Sequence, residues 1–387
     1  MWNKKAIKDQ FAGISLLQKI LIMVLIVVLV LGLTALFVFR DELRLEAAVR
    51  RIRYWGMADS ETDGHFSYDA HNSNHYAGFD NGLAVASVGG LYTYDMDGRE
   101  VVVSQGQINL PQIRAGKHMV MAYDAGGSTL LAVHGSDGEV LRVTSEKPIL
   151  DADLSPEGDI CYVSSEAGYK SVLTVYNEKQ ELVYRWLSTS TYMPVCAVSQ
   201  NGEDLAAIGL DEKDGAFVST LNLFRTDKDQ ILSTVVLGSD LIYDLEYLDQ
   251  DLLCAIGESG ISFVSAAGEV VGTYSYDSGY LKDFDTGGDG FLALSMNTYR
   301  AGNRYTLVIV DESGAELGSV YVGREILDVS AAGKYIAVLT SHGLKIYDRK
   351  LNVYAETDDI DSATSVIMQP DGISILLGAG TGKFYIP

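Results

Sequence analysis

Basic residues are few in this sequence of 387 residues, in which 29 Lys and Arg stand against 52 Asp and Glu and leave a formal net charge of −23. Proteins bind nucleic acid largely by neutralising its phosphates with Lys and Arg. We therefore expect no nucleic-acid partner. The acidic excess favours a soluble, solvent-exposed domain.

Cysteine is scarce as well, and no Cys-x-x-Cys pair occurs among the three residues Cys161, Cys196 and Cys254. Each falls in or beside an apolar strand, which predicts small core residues and neither a disulfide framework nor a metal site. The chain also has no Asn-x-Ser/Thr sequon. That absence is typical of a bacterial protein and not of a eukaryotic secreted one.

The short motifs of common enzyme classes are missing. The sequence contains no Gly-x-Ser-x-Gly elbow, no phosphate-binding glycine loop and no dinucleotide-binding fingerprint. The run of His65, Asp69, His71 and His75 fits no standard zinc spacing, so we interpret it as loop polarity. We expect no cofactor and no enzymatic activity, while the binding of a metal ion stays open.

Eight copies of a two-strand signature run through most of the chain. The first strand of each copy starts at residue 83, 119, 160, 205, 252, 291, 335 or 374. A second apolar strand follows each one, as LYTYD at 91 follows LAVAS at 83. The mean step is about 42 residues, and a period of about 40–45 residues with several short strands per unit is typical of a β-propeller.

The copies predict how the ring closes. Turns such as Ser-Pro-Glu-Gly at 155–158 connect the strands, and a fourth strand follows the signature in seven copies. The eighth copy ends at Pro387 and lacks one. We expect residues 65–70 (HFSYDA) to supply that strand and give an all-β fold of eight four-stranded antiparallel blades. The alternative is seven full blades, with 65–70 as linker.

A separate segment precedes the repeats. Residues 20–39 carry no charge, and twenty residues of helix span roughly 30 Å, the thickness of a bilayer core. We predict a cytoplasmic tail at 1–19, a transmembrane anchor helix in the lipid bilayer at 20–39, a stalk at 40–63 and the propeller at 64–387. The numbers of Lys and Arg residues just before and just after residues 20–39 are nearly equal, so the charge rule for membrane topology does not decide the orientation. We expect the N-terminus inside and the propeller outside the cytoplasmic membrane, the common arrangement for a short tail before one anchor.

One set of polar positions recurs on the predicted innermost strands. Segments such as ILDAD at 149 and IYDLE at 242 align, and side chains two residues apart share a face. The acidic residues of this set are Asp151, Asp153, Asp244, Glu246, Asp283, Asp285 and Asp328. Because innermost strands line the central channel, these carboxylates are candidates to bind a cation, such as a divalent metal, or a basic partner. The alternative is that they accept hydrogen bonds and tune blade packing.

Tyrosine is abundant, with 23 residues in the chain. Several fall in loops or late strands, namely Tyr169, Tyr184, Tyr192, Tyr276, Tyr280 and Tyr299. Exposed tyrosines suit the recognition of proteins or glycans. Tyrosine also favours β-strands for packing reasons alone, so the composition leaves both interpretations open.

The turns Ser-Pro-Glu-Gly at 155–158 and Gln-Pro-Asp-Gly at 369–372, each before a buried strand, resemble those of the WD-repeat-like propeller superfamily. The layout of basic tail, anchor helix and acidic propeller resembles an uncharacterised family of membrane-anchored propellers from Gram-positive bacteria. This resemblance implies no catalytic residues. We expect a non-catalytic protein-binding scaffold in the cell envelope, with an envelope or membrane protein as partner. The alternatives are a hydrolase or lyase, or a ligand sensor, with an acidic site at the channel.

Overall fold

The structure is a computed structural model that describes residues 65–80, 82–135, 137–213, 215–277 and 279–387. These residues form β-strands that assemble into eight four-stranded antiparallel sheets. No helix among them is long and apolar enough to cross a membrane. The predicted tail, anchor helix and stalk, residues 1–63, lie outside the described residues.

The first strand of the chain, β1 (His65–Ser67), belongs to the last blade. Blade 1 consists of β2 (His75–Phe79), β3 (Gly82–Ser87), β4 (Gly90–Tyr94) and β5 (Glu100–Gln105). Blade 2 consists of β6 (Pro111–Ala115), β7 (Met119–Asp124), β8 (Thr129–His134) and β9 (Gly138–Thr144). Blade 3 consists of β10 (Ile149–Leu154), β11 (Ile160–Glu166), β12 (Tyr169–Tyr176) and β13 (Leu182–Ser188).

Blade 4 consists of β14 (Tyr192–Val198), β15 (Asp204–Lys213), β16 (Ala216–Arg225) and β17 (Ser233–Gly238). Blade 5 consists of β18 (Ile242–Tyr247), β19 (Leu252–Gly257), β20 (Gly260–Ser265) and β21 (Val270–Ser275). Blade 6 consists of β22 (Tyr280–Gly288), β23 (Phe291–Asn297), β24 (Tyr305–Asp311) and β25 (Glu316–Tyr321). Blade 7 consists of β26 (Ile326–Ala332), β27 (Tyr335–Thr340), β28 (Gly343–Asp348) and β29 (Val353–Thr357). Blade 8 consists of β30 (Ser365–Met368), β31 (Ser374–Leu377), β32 (Thr381–Tyr385) and β1.

The eight blades form a closed ring, as the repeat period predicts. The first strands of neighbouring blades contact one another, and β2 of blade 1 contacts β30 of blade 8. The second strands are apolar and buried along most of their length; β3, β7 and β27 are buried throughout. Their side chains pack between blades, so that Leu91 of blade 1 shares a core cluster with Val120 and Leu131 of blade 2.

Blade 8 is completed by the N-terminal strand, as the sequence predicts. In the register of β1 with β32, His65 pairs with Lys383 and Ser67 with Thr381. The strand is shorter than the predicted 65–70, because Tyr68 leaves the ladder and buries its ring. The hydroxyl of Tyr68 donates a hydrogen bond to the carbonyl oxygen of Gly378 at 2.7 Å.

Strand direction gives the ring two distinct ends. In every blade the turn between the second and third strands, and the connection to the next blade, lie at one end, which we call the upper face. The turns between first and second strands and between third and fourth strands lie at the other end, the lower face. Glycines at positive φ close predicted lower-face turns, with φ of 110° at Gly158 and 91° at Gly372.

Candidate functional site

All seven predicted acidic residues lie on the first strands of blades 3, 5, 6 and 7, around the central channel. One cavity of about 610 Å³ lies towards the lower face and is lined by Glu246, Asp285 and Arg114. A second cavity of about 470 Å³ lies towards the upper face and is lined by Asp283 and Asp328. Asp285 lines both cavities, and Asp151, Asp153 and Asp244 line neither, so four of the seven predicted residues face these two cavities.

Several of these carboxylates bind the backbone of the following blade. Asp151 and Asp153 on β10 accept hydrogen bonds from the amides of Cys196 and Val198 on β14, each at 2.9 Å. Because the amides of a first strand have no β partner on the channel side, a carboxylate of the preceding blade satisfies them.

The same contact recurs twice further round the ring. Asp283 and Asp285 on β22 accept hydrogen bonds from the amides of Val329 at 2.7 Å and Ala331 at 2.9 Å. Asp328 on β26 accepts one from the amide of Val366 at 2.7 Å. These carboxylates thus link blade 6 to blade 7 and blade 7 to blade 8.

Arg114 provides a counter-charge that was not recognised from the sequence. It lies on β6 of blade 2, and its guanidinium is 3.9 Å from Asp153 and 3.9 Å from Asp244. Burial alone would lower the pKa of this guanidinium, but the charges of Asp244, Asp151 and other neighbours raise it above its usual value. A single basic residue among four uncharged neighbours in PQIRA carries no sequence signal, because its partners lie in blades 3 and 5.

Two of the carboxyl groups in blades 3 and 5, Asp151 and Glu246, have pKa values above their usual range. Burial raises the pKa of Asp151 to about 6, although Arg114, the Cys196 amide and the Tyr123 hydroxyl oppose the shift. Burial and the charge of Asp244 raise the pKa of Glu246 to about 7. Arg114 lowers both values, so its guanidinium favours the ionised form of both carboxyl groups.

The blade 6 and blade 7 carboxylates have a different environment. Asp283 and Asp328 share a side-chain hydrogen bond, and burial raises the pKa of both, with the charge of Asp283 raising that of Asp328 further. Two carboxyl groups that share a hydrogen bond do not both ionise readily, so such a pair tends to retain one proton. Because burial raises the pKa of Asp328 well above its usual value and the charge of Asp283 raises it further, we expect Asp328 to carry this proton and donate it to Asp283 while it accepts from the Val366 amide.

This arrangement predicts that Asp328→Asn leaves the free energy of unfolding within about 1 kcal/mol of the wild type at pH 7, because an amide reproduces the donor and acceptor of a protonated carboxyl. Asp328→Ala should cost about 1–3 kcal/mol, because Asp283 and the Val366 amide lose their partner. Urea denaturation measures both values.

The pH dependence provides the control. An acid with a raised pKa contributes stability that is present at low pH and is lost as pH rises through the folded-state pKa. Asp328→Asn should therefore gain on the wild type as pH rises. If instead millimolar Ca²⁺ or Mg²⁺ raises the melting temperature of the wild type and not of Asp328→Asn, the predicted cation site holds and the shared-proton arrangement is wrong.

Metal ligands are not grouped in the described part of the chain. No cluster of three or more His, Cys, Asp or Glu residues with the geometry to hold a metal ion occurs there. His71, one of the residues in the histidine-rich run, contacts the hydroxyl of Ser73 at 2.6 Å. All three cysteines are buried and free, as predicted, and the Sγ atoms of Cys161 and Cys196 lie 3.5 Å apart.

The exposed aromatic residues form a second feature, on the upper face. Seven aromatic side chains are exposed among the described residues, and all lie at the upper ends of strands or in upper-face connections of blades 3 to 6: Tyr169, Tyr192, Phe217, Tyr243, Tyr280, Tyr299 and Tyr321. The most exposed are Phe217 at 72 %, Tyr321 at 65 % and Tyr299 at 53 %. We call these seven residues the aromatic face.

The sequence identified part of this set. Tyr169, Tyr192, Tyr280 and Tyr299 are exposed, whereas Tyr184 and Tyr276 are buried in inter-blade clusters. The exposure of Tyr184 was misjudged because alternate side chains of a fourth strand point towards the neighbouring blade and are buried there. Nothing in the sequence indicates that the exposed members share one end of the ring.

Comparison with known proteins identifies a family. A model described as a family of unknown function, DUF5711, matches residues 58–374. No curated protein matches the chain. Similar solved structures include the WD40 repeats of RRP9, with 6 % identity, a TM-score of 0.46, and coverage of 71 % of this chain and 96 % of that one. Another is the hydrazine synthase of Kuenenia stuttgartiensis, with 12 % identity, a TM-score of 0.47, and coverage of 69 % and 92 %.

Proposed function

This chain belongs to DUF5711, a family of unknown function, and we propose from its own residues that it is a non-catalytic, protein-binding scaffold. In this proposal the propeller is anchored to the cytoplasmic membrane by residues 20–39 and faces outwards in the bacterial cell envelope, with the aromatic face as its binding surface. The partner is another envelope or membrane protein.

The observation that carries the proposal is the confinement of exposed aromatic residues to one end of the ring. A general preference of Tyr and Phe for strands would leave exposed rings at both ends and on the outer strands. Along the fourth strands the exposed apolar residues are instead aliphatic, as with Val236 on β17 and Val270 on β21, except for Tyr321 at the upper end of β25. Aromatic residues are enriched in protein interfaces, where they supply much of the binding energy.

The channel carboxylates support a role without chemistry. General acid–base catalysis requires a carboxyl group that can reach a substrate proton. In this ring, backbone amides of the next blade donate hydrogen bonds to four of the carboxylates, Asp151, Asp153, Asp283 and Asp328.

Capture from solubilised membranes tests this proposal with two matched triple variants of the full chain. Tyr243→Ser, Tyr299→Ser and Tyr321→Ser together should abolish co-purification of a specific protein, with the melting temperature unchanged. Val236→Ser, Val270→Ser and Val353→Ser, which alter exposed outer-strand residues, should leave the capture intact. Equal capture by both variants would refute binding at the aromatic face.

A reporter fused after Pro387 should be active only outside the membrane, and activity inside would refute the envelope location.

A further inference from the structure

Basic residues of the upper face concentrate in blade 6. Lys282 lies near the start of β22, Arg300 and Arg304 lie in the connection from β23 to β24, and Arg324 lies in the connection from β25 to β26. All four are exposed. The seven residues 298–304 (TYRAGNR) contain two arginines and no acid, although the chain as a whole carries a net charge of −23. We call these four residues the blade 6 basic cluster.

These four residues have no carboxylate partner among the described residues. Several arginines elsewhere on the propeller surface do, as Arg185 pairs with Glu166 at 2.5 Å and Arg225 with Glu203 at 2.7 Å. The Nζ of Lys282 instead donates a hydrogen bond to the carbonyl oxygen of Arg300 at 2.8 Å. The cluster therefore holds positive charge that the fold itself does not neutralise.

The cluster lies among the aromatic residues of the same blade. The Nζ of Lys282 is 6.0 Å from the ring centre of Tyr280, and the guanidinium carbon of Arg304 is 5.9 Å from that of Tyr299. Tyr321 ends β25 shortly before Arg324. Tyrosine next to arginine is the composition of binding hot spots, because both provide large contact area together with directional hydrogen bonds.

The surroundings of the cluster limit the shape of its ligand. The upper face around the cluster also carries acidic residues: Asp211 and Glu212 in blade 4, Asp240 and Glu258 beside blade 5, Asp277 before β22, Glu325 after Arg324 and Asp358 after blade 7. A broad anionic surface, such as a bilayer of anionic lipid, would meet all of these carboxylates as well as the basic cluster. A short anionic segment would avoid most of them.

We propose that the basic cluster and the tyrosines of blade 6 form the docking site for an acidic segment of the protein partner. The inference rests on the proposed function and adds the chemistry of the partner to it. Complementary charge accelerates the encounter and excludes basic or neutral competitors, while the tyrosine rings provide the apolar contact. Binding at such a site weakens as salt screens the charges.

Fluorescence anisotropy with the full chain in detergent micelles tests the proposal. The probes are two labelled synthetic peptides of equal length, one of Glu, Tyr and Ser and one of Lys, Tyr and Ser. The acidic peptide should bind and the basic peptide should not. The double variant Arg300→Ala/Arg304→Ala should lower the affinity for the acidic peptide about tenfold or more. Lys147→Ala with Lys170→Ala is the matched control, because these exposed lysines also lack a carboxylate partner and lie on the upper face in other blades. It should change the affinity less than about twofold.

Other ligands give contrary results. If inorganic phosphate or phosphatidylglycerol vesicles bind with the same dependence on Arg300 and Arg304 and the acidic peptide does not bind, the docking of an acidic protein segment is refuted. If both peptides bind alike, charge does not select the partner and the inference also fails. The two proposals can be distinguished. Loss of membrane-protein capture in the tyrosine variant, with full capture in Arg300→Ala/Arg304→Ala, would support the scaffold and refute the docking of an acidic segment. Full capture in the tyrosine variant would refute the proposed function itself.

Discussion

Tyr68→Ala should destabilise the propeller by about 3–5 kcal/mol, the usual cost of truncating a large buried aromatic residue. Tyr68 joins the two ends of the ring. Its amide donates to the carbonyl oxygen of Gly380 in blade 8 at 3.1 Å, and its ring lies 5.5 Å from that of Tyr76 in blade 1. Its hydroxyl also lies 3.0 Å from the carbonyl oxygen of Thr381. Loss of the side chain therefore weakens closure as well as local packing.

Calorimetry on the full chain measures this effect against a graded control. Tyr68→Phe keeps the ring and removes only the hydroxyl bonds, so it should cost about 1 kcal/mol. Deletion of residues 60–72 should lower the melting temperature at least as far as Tyr68→Ala, because it exposes β32 as an open edge. Unchanged melting temperatures in both Tyr68→Ala and the deletion would show that β1 does not close the ring.

Arg114→Met is expected to destabilise the propeller by about 2–3 kcal/mol at pH 7, because removing one member of a largely buried group of charges leaves the others uncompensated, while partial exposure of the side chains reduces the cost below that of a fully buried pair. Without the guanidinium, no positive charge compensates the surrounding carboxylates, which are Asp151, Asp153, Asp244 and Glu246. The methionine retains the apolar part of the side chain, so the loss reports mainly on charge.

The pH dependence of Arg114→Met follows from the carboxyl pKa values. In the wild type the pKa of Asp151 is raised to about 6 and that of Glu246 to about 7. The folded protein therefore binds more protons than the unfolded chain between about pH 4 and 7, and the associated stability is lost as pH rises through that range. Without Arg114 the two pKa values rise further, so the variant should lose much more stability at pH 8 than at pH 5.

Arg142→Met is the matched control for this experiment. Arg142 pairs with Glu139 at 2.5 Å on the surface of blade 2, and exposed pairs contribute about 0–1 kcal/mol. Denaturant titrations at pH 5 and pH 8 compare the two variants. A loss for Arg114→Met that is small, or equal at both pH values, would mean that the channel carboxylates do not depend on the guanidinium.

The architecture could be read from the sequence because each blade repeats the same local chemistry. Apolar second strands and glycine turns recur in every unit, and strands adjacent in sequence pair with each other, so no long-range information is needed. Only the end of β1 was misplaced. Nothing in HFSYDA indicates that Tyr68 rotates out of the ladder to bond Gly378, since its partner lies more than 300 residues away.

The channel and the upper face were less predictable for a related reason. The repeat aligned Asp151, Asp244, Asp283 and Asp328 correctly on innermost strands, because position within a blade is a local property. Whether each one meets Arg114 or the amides of the next blade depends on contacts across the ring. The sequence likewise did not predict the exposure of Phe217, Tyr243 and Tyr321. Each belongs to a regular strand and is exposed only because it lies at the upper end of that strand.

Photo-crosslinking in intact membranes tests the central claim, that the aromatic face binds a protein partner. A benzophenone amino acid is placed at Tyr243 or Tyr299 on the aromatic face, and at Val236 or Val353 on outer strands as controls, and the adducts are identified by mass spectrometry. The account predicts one protein adduct common to both aromatic-face positions and absent from both controls. Adducts from the outer strands alone, or none from the aromatic face, would contradict it.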